Sequence, residues 1–523
     1  MEAACIRHTA IPHTTALFAD FLYRFDRVAG FFGGSSAADR FAASAARIDF
    51  PAERRAALVE ALHELNGDSV ELDRLAQPGT FAVVTGQQVG LFTGPCYTIY
   101  KAVTAVKLAR GLTSAGLPAV AVFWLATEDH DAAEVNHCWA FDSEHRPVRL
   151  AVEAQPAGRS VGTVELSEPP VAGLRQAIEK LPHGEQVAAL AEDCYRPGRS
   201  FGEAFQRLLG RLLGSYGLIF VDPLRPSLRR LAAPLLARSL ALAPELIRLL
   251  VERSRALEAA GYHVQVRVEP SASLHFFLDG DRRIPLRRAG EVYRAGGLAW
   301  SVGELEAAAE RLSPNALLRP VMQDFLLPTL AYVGGPAEIA YLAQAEVLYR
   351  ELLGRMPVPV SRSGFTLVDA RAAKLLDRYR LSLTDVFGGQ EALRERIARK
   401  LIPTELEGVI RSVRADVESQ TERLGQALGA FDPTLEAALA KSRAKMLYQL
   451  EKIERKTARE ALRRNERAAV EAEYLSNLIY PHKHLQERFY TILPFLARHG
   501  LNLLDRIYQA VNLDCPDHLA LKV

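Results

Sequence analysis

The stretch from Phe81 to Leu125 constrains the fold more than any other part of the chain. It runs through a short apolar segment FAVV, a glycine-rich loop TGQQVGLFTG, a helix opened by Pro95, a turn TSAGLP and a second apolar segment AVAVFWL. That grammar is a βαβ unit. Its crossover makes the two strands parallel and almost always right-handed, so the loops leaving both strands open on one sheet edge. Two later segments repeat the pattern: GLIFVDP ends a strand at Asp222, and TLAYVGGPAEIAYLAQA runs strand, glycine turn, helix. All four strands are expected in one parallel sheet, which makes the fold class α/β.

The rest of the chain is read around this sheet. Residues 13–78 are predicted helical, with a periodic run from Ala52 to Leu65 broken by Asn66, Gly67 and Pro78. Insertions are expected at about 140–215 and 262–312. The first should carry strands around Val148 to Glu153 and Val161 to Leu166, the second a hairpin at Asp279-Gly280. From Leu375 the chain turns helical. Leu406, Ile410, Val413, Val417 and Leu424, then Leu435, Leu439, Met446, Leu450 and Ile453 beyond Asp432-Pro433, keep a three-four spacing with charges between. This reads as an antiparallel helical hairpin or coiled coil. One apolar stripe per helix is a thin core, so a homodimer is expected. The domain reading is a core at 1–375, a coiled-coil arm at 376–479 and a segment at 480–523 packing back on the core.

Composition limits the function. A chain of 523 residues exceeds one ordinary core, and 49% apolar with 24% charged residues is globular usage. Lys+Arg 64 against Asp+Glu 62 gives +2, no field for a nucleic acid or an anionic bilayer. Five scattered cysteines without a CxxC pair argue against a disulfide framework or a structural zinc. No secretory signal is read in residues 1–15, and no run approaches the roughly 20 apolar residues of a spanning helix, so a cytoplasmic location is expected.

Candidate chemistry sits where the strands end. In the glycine-rich loop, Gly86, Gly90 and Gly94 permit close backbone approach, and the helix after Gly94 would aim free N–H groups at an anion. The loop is neither GxxxxGK[ST] nor GxGxxG, so the glycines are as compatible with a structural turn as with a ligand cradle. Thr85, Gln87, Gln88, Thr93, Tyr97 and Lys101 add donors that favour binding. After the second strand, Glu128, Asp129, His130 and Asp131 follow in succession, with Asn136 beyond them. These four are the catalytic candidates, set against a plain solvated acidic loop. His130, Glu134 and His137 match no metal-ligand spacing, and no metal is expected beyond magnesium accompanying a nucleotide. Around the fourth strand, Asn315, Arg319, Gln323, Gly334, Gly335 and Glu338 are binding candidates. Arg319 can fork onto a carboxylate or phosphate, or pair structurally with Asp324 or Glu338. Cys96 is read as a packing residue.

At these same positions the sequence resembles the BshC family: TGQQVGLFTGPCYTIYK at 85–101, FWLATEDHDAAEVNH at 123–137, SPNALLRPVMQDFLLPTLAYVGGPAEIAY at 313–341 and YPHKHLQERFYTILPFL at 480–496. The resemblance covers essentially the whole chain. It implies a Rossmann-like core with connecting insertions, a coiled-coil dimerisation arm, and a ligase adding cysteine to glucosaminyl-malate to give bacillithiol. Joining a carboxyl to an amine needs an activated carboxyl, for which ATP is the expected source, and a neutral amine. On this reading the helix starts after Gly94 and Gly335 take anionic groups, and Asp129 or Asp131 the cysteine ammonium. His130 or Glu128 removes the proton, while Arg319 and Lys101 hold malyl carboxylates or phosphate. Another ATP-dependent amide-forming ligase, or a metabolite-binding coiled-coil scaffold, remains the alternative.

Overall fold

The four apolar segments do join one sheet, and a fifth strand extends it. In the computed structural model, which describes residues 3–34, 40–152, 158–269, 272–290, 292–295 and 297–523, the strands lie in the order Val358–Ser361, Thr329–Gly334, Phe81–Gln87, Ala119–Leu125, Leu218–Val221. Every neighbouring pair is parallel. The fold is α/β and Rossmann-like. Val358–Ser361 escapes a sequence reading because Pro357 and Pro359 interrupt it; proline is tolerated there because the strand is at the sheet edge.

The central strands are apolar because both faces are covered, as parallel sheets require. Helix Tyr97–Ser114 packs on Phe81–Gln87 and Ala119–Leu125, while helices Ala52–Asn66 and Val70–Ala76 from the N-terminal segment pack on Leu218–Val221 and Ala119–Leu125. Leu58, Leu62, Leu72 and Leu75 thereby share a core with Val120, Val122, Trp124 and Val221.

Strand order reverses at Phe81–Gln87. The chain first builds outward through Ala119–Leu125 and Leu218–Val221, then returns to place Thr329–Gly334 on the opposite side. The loops leaving Phe81–Gln87 and Thr329–Gly334 therefore diverge, and open parallel sheets bind ligands at such a point. Gly86 is required at this exit, since a Cβ there would lie 2.7 Å from the Trp124 carbonyl oxygen.

The first insertion holds an antiparallel ribbon, His137–Phe141 with Pro147–Ala151; the Glu153 end of the expected strand lies outside the described residues. The strand expected at Val161 to Leu166 is instead a 3-10 turn, Val161–Thr163. Its backbone has another use: Val161 N–H donates to Asp129 O at 2.6 Å and Gly162 N–H to Thr127 O at 3.0 Å, clamping the acidic loop. In the second insertion, His275–Asp279 and Arg282–Pro285 form the expected hairpin, with Gly280 at φ 61° in its turn.

Residues 1–143, 147–367 and 486–523 form one compact unit, and residues 144–146 with 368–485 a second. The first thus includes the chain end, whose strand His518–Lys522 lies between Ala3–Ile6 and Phe365–Val368. The second is helical. Thr404–Phe431 and Pro433–Arg463 form a hairpin whose turn is capped by Asp432, accepting from Thr434 N–H at 2.9 Å. Among the described residues no helix is long and apolar enough to cross a membrane.

Candidate active site

A cavity of about 630 Å³ opens at the strand ends on either side of the reversal. Gly86, Gln87 and Gln88 reach it from one strand, Gly335 and Glu338 from the other. Tyr97 and Lys101 enter from the helix after the glycine-rich loop, Glu128, Asp129 and His130 from the acidic loop, and Asn315 and Arg319 from the segment before the fourth strand. Thr85, Thr93, Gly94, Asp131, Asn136, Gln323 and Gly334 do not line it.

Lys101 and Glu338 bridge the reversal. The buried Lys101 ammonium donates to Gly86 O at 3.0 Å and Gln87 Oε1 at 2.8 Å, and pairs with Glu338 Oε2 at 2.5 Å. Glu338 also accepts from Gly335 N–H at 2.8 Å and Tyr332 Oη–H at 2.7 Å. Burial pulls the lysine down, whereas Glu338, which burial alone would raise, is held below the usual carboxylate range by Lys101 and the Gly335 N–H. Three acceptors use the three donors of the ammonium, so Lys101 positions the loop rather than holding an anion. The ligand-holding role expected of it would need one of these contacts to be released.

Arg319 is differently placed. Its guanidinium donates to Gln323 Oε1 at 3.0 Å and Tyr341 Oη at 2.9 Å, with Tyr332 Oη at 3.5 Å. All are neutral acceptors, and among the described residues Arg319 forms no ion pair with Asp324 or Glu338. Asp324 instead accepts from Gln323 at 2.9 Å and from Tyr349, as a buried support. A half-buried cation without a carboxylate, facing a cavity, is suited to a carboxylate or phosphate. The helix Pro336–Leu353 starts beside it, and the N–H groups of Ala337 and Glu338 in its first turn have no acceptor within the helix.

Three further arginines line the cavity that the sequence reading did not select: Arg283, Arg362 and Arg488. Arg362 is buried and forks onto Glu487 at 2.9 and 2.6 Å, with its guanidinium 5.4 Å from the Tyr97 ring centre. The exposed Arg488 lies 5.8 Å from the same ring. The adjacent Glu487-Arg488 pair was the available signal, but nothing local tells which cavity the short helix Gln486–Phe489 will meet.

The acidic loop separates into distinct roles. Glu128 is buried and paired with Arg229, which also donates to Glu310 O at 2.7 Å and to Leu312 O. A carboxylate held this way is not placed to collect a proton. Asp129 accepts from Gln88 at 2.6 Å and from His130 N–H at 2.7 Å, and Arg283 stands 3.8 Å away. Gln88 also donates to Glu134, which lines the cavity on the other side of that amide. His130 Nδ1 lies 3.0 Å from the Arg283 guanidinium. Since arginine only donates, Nδ1 is the acceptor and the ring proton is on Nε2. Burial and Arg283 lower the His130 pKa, so the ring is a neutral donor, and the general-base role expected of it does not fit this geometry. Asp131 caps the short helix after it, accepting from Ala133 N–H at 3.1 Å, and Asn136 meets His137 Nδ1 at 3.0 Å.

The glycine-rich loop departs from expectation at its end. Phe92, Thr93 and Gly94 are all left-handed, at φ 51°, 70° and 66°, and the helix begins at Tyr97 rather than Pro95. Cys96 N–H is taken by Tyr490 O at 2.8 Å. That N–H is thereby used within the fold, and so is Thr85, whose hydroxyl donates to Val333 O at 2.8 Å.

The profile of "Bacillithiol biosynthesis BshC, N-terminal Rossmann-like domain" matches residues 1–363, and that of the "C-terminal coiled-coil domain" of the same protein matches residues 365–523. The chain belongs to the BshC family. Its relatives include proteins named "Putative cysteine ligase BshC" from Solibacter usitatus, 53% identical over the full length of both chains, and Koribacter versatilis, 38% identical over 99% of each. Another, from Symbiobacterium thermophilum, is 33% identical over 94% of this chain and 91% of the relative. As a BshC family member the chain is an enzyme of the ligase class. Arg488 comes from the part that matches the C-terminal profile but folds with the first unit.

Proposed function

We propose that the chain joins the carboxyl group of cysteine to the amine of glucosaminyl-malate, giving bacillithiol in the cytoplasm, with ATP activating the carboxyl. The observation that carries this reading is the polarity of the cavity. Arg319, Arg488 and the helix start at Ala337 bring cationic groups to the cavity, while Asp129 and Glu134 flank Gln88, with Arg283 3.8 Å from Asp129. The cationic groups suit the malyl carboxylates or a phosphate group; the carboxylates beside Gln88 suit the ammonium of cysteine. His130 Nε2–H donates to a carbonyl oxygen as negative charge develops on it. The proton released as the amide forms passes to these carboxylates. ATP supplies the leaving group for the acyl transfer, and the groups that fit its phosphates are the cationic ones.

The test is to incubate purified protein with cysteine, glucosaminyl-malate and ATP and to follow product by mass spectrometry. Cysteinylated product with ATP consumption is expected. Preferential joining of an unrelated amino acid, or no ATP consumption during turnover, would reject the assignment.

We also propose that the helical hairpin pairs with a second copy. Leu406, Val409, Val413 and Leu424 on one helix and Leu435, Met446 and Ile453 on the other remain exposed in a single chain, and a dimer would cover such a stripe. Sedimentation should give twice the chain mass, and Val413→Glu with Leu424→Glu should shift it to the monomer. A wild-type monomer at micromolar concentration would rule the pairing out.

A further inference from the structure

Outside the cavity, two cysteines 510 residues apart in sequence come into contact: Cys5 Sγ lies 3.7 Å from Cys515 Sγ. We propose that they form a reversible disulfide by exchange with a small disulfide carrying carboxylate groups, closing the first strand of the chain onto its last. Cys5 lies in Ala3–Ile6, which pairs antiparallel with His518–Lys522 so that Cys5 faces Leu519. Cys515 lies in the loop leading into that strand. The loop is held by Tyr23, whose hydroxyl donates to Asp517 at 2.7 Å, and by Asp514 N–H on Asn512 at 3.0 Å. Strand pairing fixes Cys5 and the loop contacts at Asp517 and Asp514 hold the segment of Cys515, and the two sulfurs must close from contact to a bond of ~2.0 Å.

Access is selective. Cys5 is exposed and Cys515 partly so, whereas Cys96, Cys138 and Cys194 are buried. Burial pushes those three thiols up and leaves them unreactive. Cys515 also lines a cavity of about 270 Å³ with Arg40 on its wall, which favours an oxidant bearing carboxylates. Cys515 is the thiol that lines the cavity with Arg40, so Cys515 is the entering thiol. Its thiolate attacks one sulfur of the small disulfide and expels one thiolate, which takes a proton. Cys5 then loses its proton and attacks Cys515 Sγ, expelling the second. Two protein thiols are oxidised by two electrons, and one disulfide is reduced to two thiols.

Asp517 stands near both sulfurs, as the third member of a group within metal-binding range. Its hydrogen bond to Tyr23 and the exposure of Cys5 favour the covalent pair over an ion. The inference does not depend on the proposed ligase reaction.

The test treats the reduced full-length chain with glutathione disulfide, blocks free thiols with N-ethylmaleimide and maps peptides by mass spectrometry. The expected result is a peptide joining Cys5 to Cys515, reversed by dithiothreitol, with an upward shift in melting temperature. Cys5→Ser should instead leave Cys515 as a stable glutathione adduct, with no shift. Two independent glutathione adducts in the wild type, or two alkylated thiols, would overturn the proposal. So would stoichiometric zinc binding by the reduced chain that blocks oxidation, since it would assign the pair to a metal.

Discussion

Glu487→Gln is expected to destabilise the chain by about 3–5 kcal/mol, the cost of leaving one member of a buried ion pair without its partner. Arg362 and Glu487 are both buried, and the fork between them is supplemented by Phe365 N–H on Glu487 at 3.0 Å. Arg362→Met should do similar damage, whereas Arg362→Met with Glu487→Leu should recover most of the loss, because two apolar groups leave no charge stranded. Burial alone would raise the Glu487 carboxyl, but Arg362 overcomes it and holds the pKa at about 2, against an ordinary 4.5. A depressed carboxylate contributes stability that is present above pH 4.5 and lost as pH falls toward 2. The difference between wild type and Glu487→Gln in urea denaturation should therefore be full near pH 7 and shrink through that acid window. A difference under about 1 kcal/mol at pH 7 would mean that the pair is not the anchor inferred here.

That anchor is also what the sequence conceals. The apolar runs at Phe81, Ala119, Leu218 and Thr329 are legible because a parallel sheet buries both faces of each strand. Once the strands are placed, loops at their ends must share an edge, and Gln87, Gln88, Asp129, Arg319 and Glu338 do meet there. Arg362 and Arg488 follow from no such rule, since the first follows a short edge strand and the second lies in the short helix Gln486–Phe489. Local pattern also cannot tell a free charge from a spent one. Glu128 and Asp129 are neighbours in the same acidic run and both line the cavity, yet the buried Arg229 pairs directly with the first, while Arg283 stands 3.8 Å from the second. Thr93 and Gly94 read as cradle residues, but the left-handed backbone at Phe92–Gly94 turns the following helix start onto Tyr490.

The proposed chemistry makes its sharpest demand at Asp129 and His130. Asp129→Asn should raise the KM for cysteine about 10- to 100-fold, because a charge-assisted hydrogen bond to an ammonium contributes roughly 1.5–3 kcal/mol. The KM for glucosaminyl-malate should move far less, and Arg319→Met should show the reverse pattern. His130→Gln tests a different point. With Nδ1 occupied by Arg283, and burial and Arg283 both lowering its pKa, the neutral ring is favoured and Nε2–H is left to donate. Any histidine limb in wild-type kcat should then lie below the ordinary 6.5. Gln retains an N–H donor, so His130→Gln should keep more activity than His130→Ala. A general base in that position predicts otherwise: a loss on the order of 10²–10⁴-fold in both variants, and an acid limb in wild type that vanishes when the ring is removed. That second pattern would require Arg283 to release Nδ1 during turnover, and would make His130 the proton acceptor in place of the carboxylates beside Gln88.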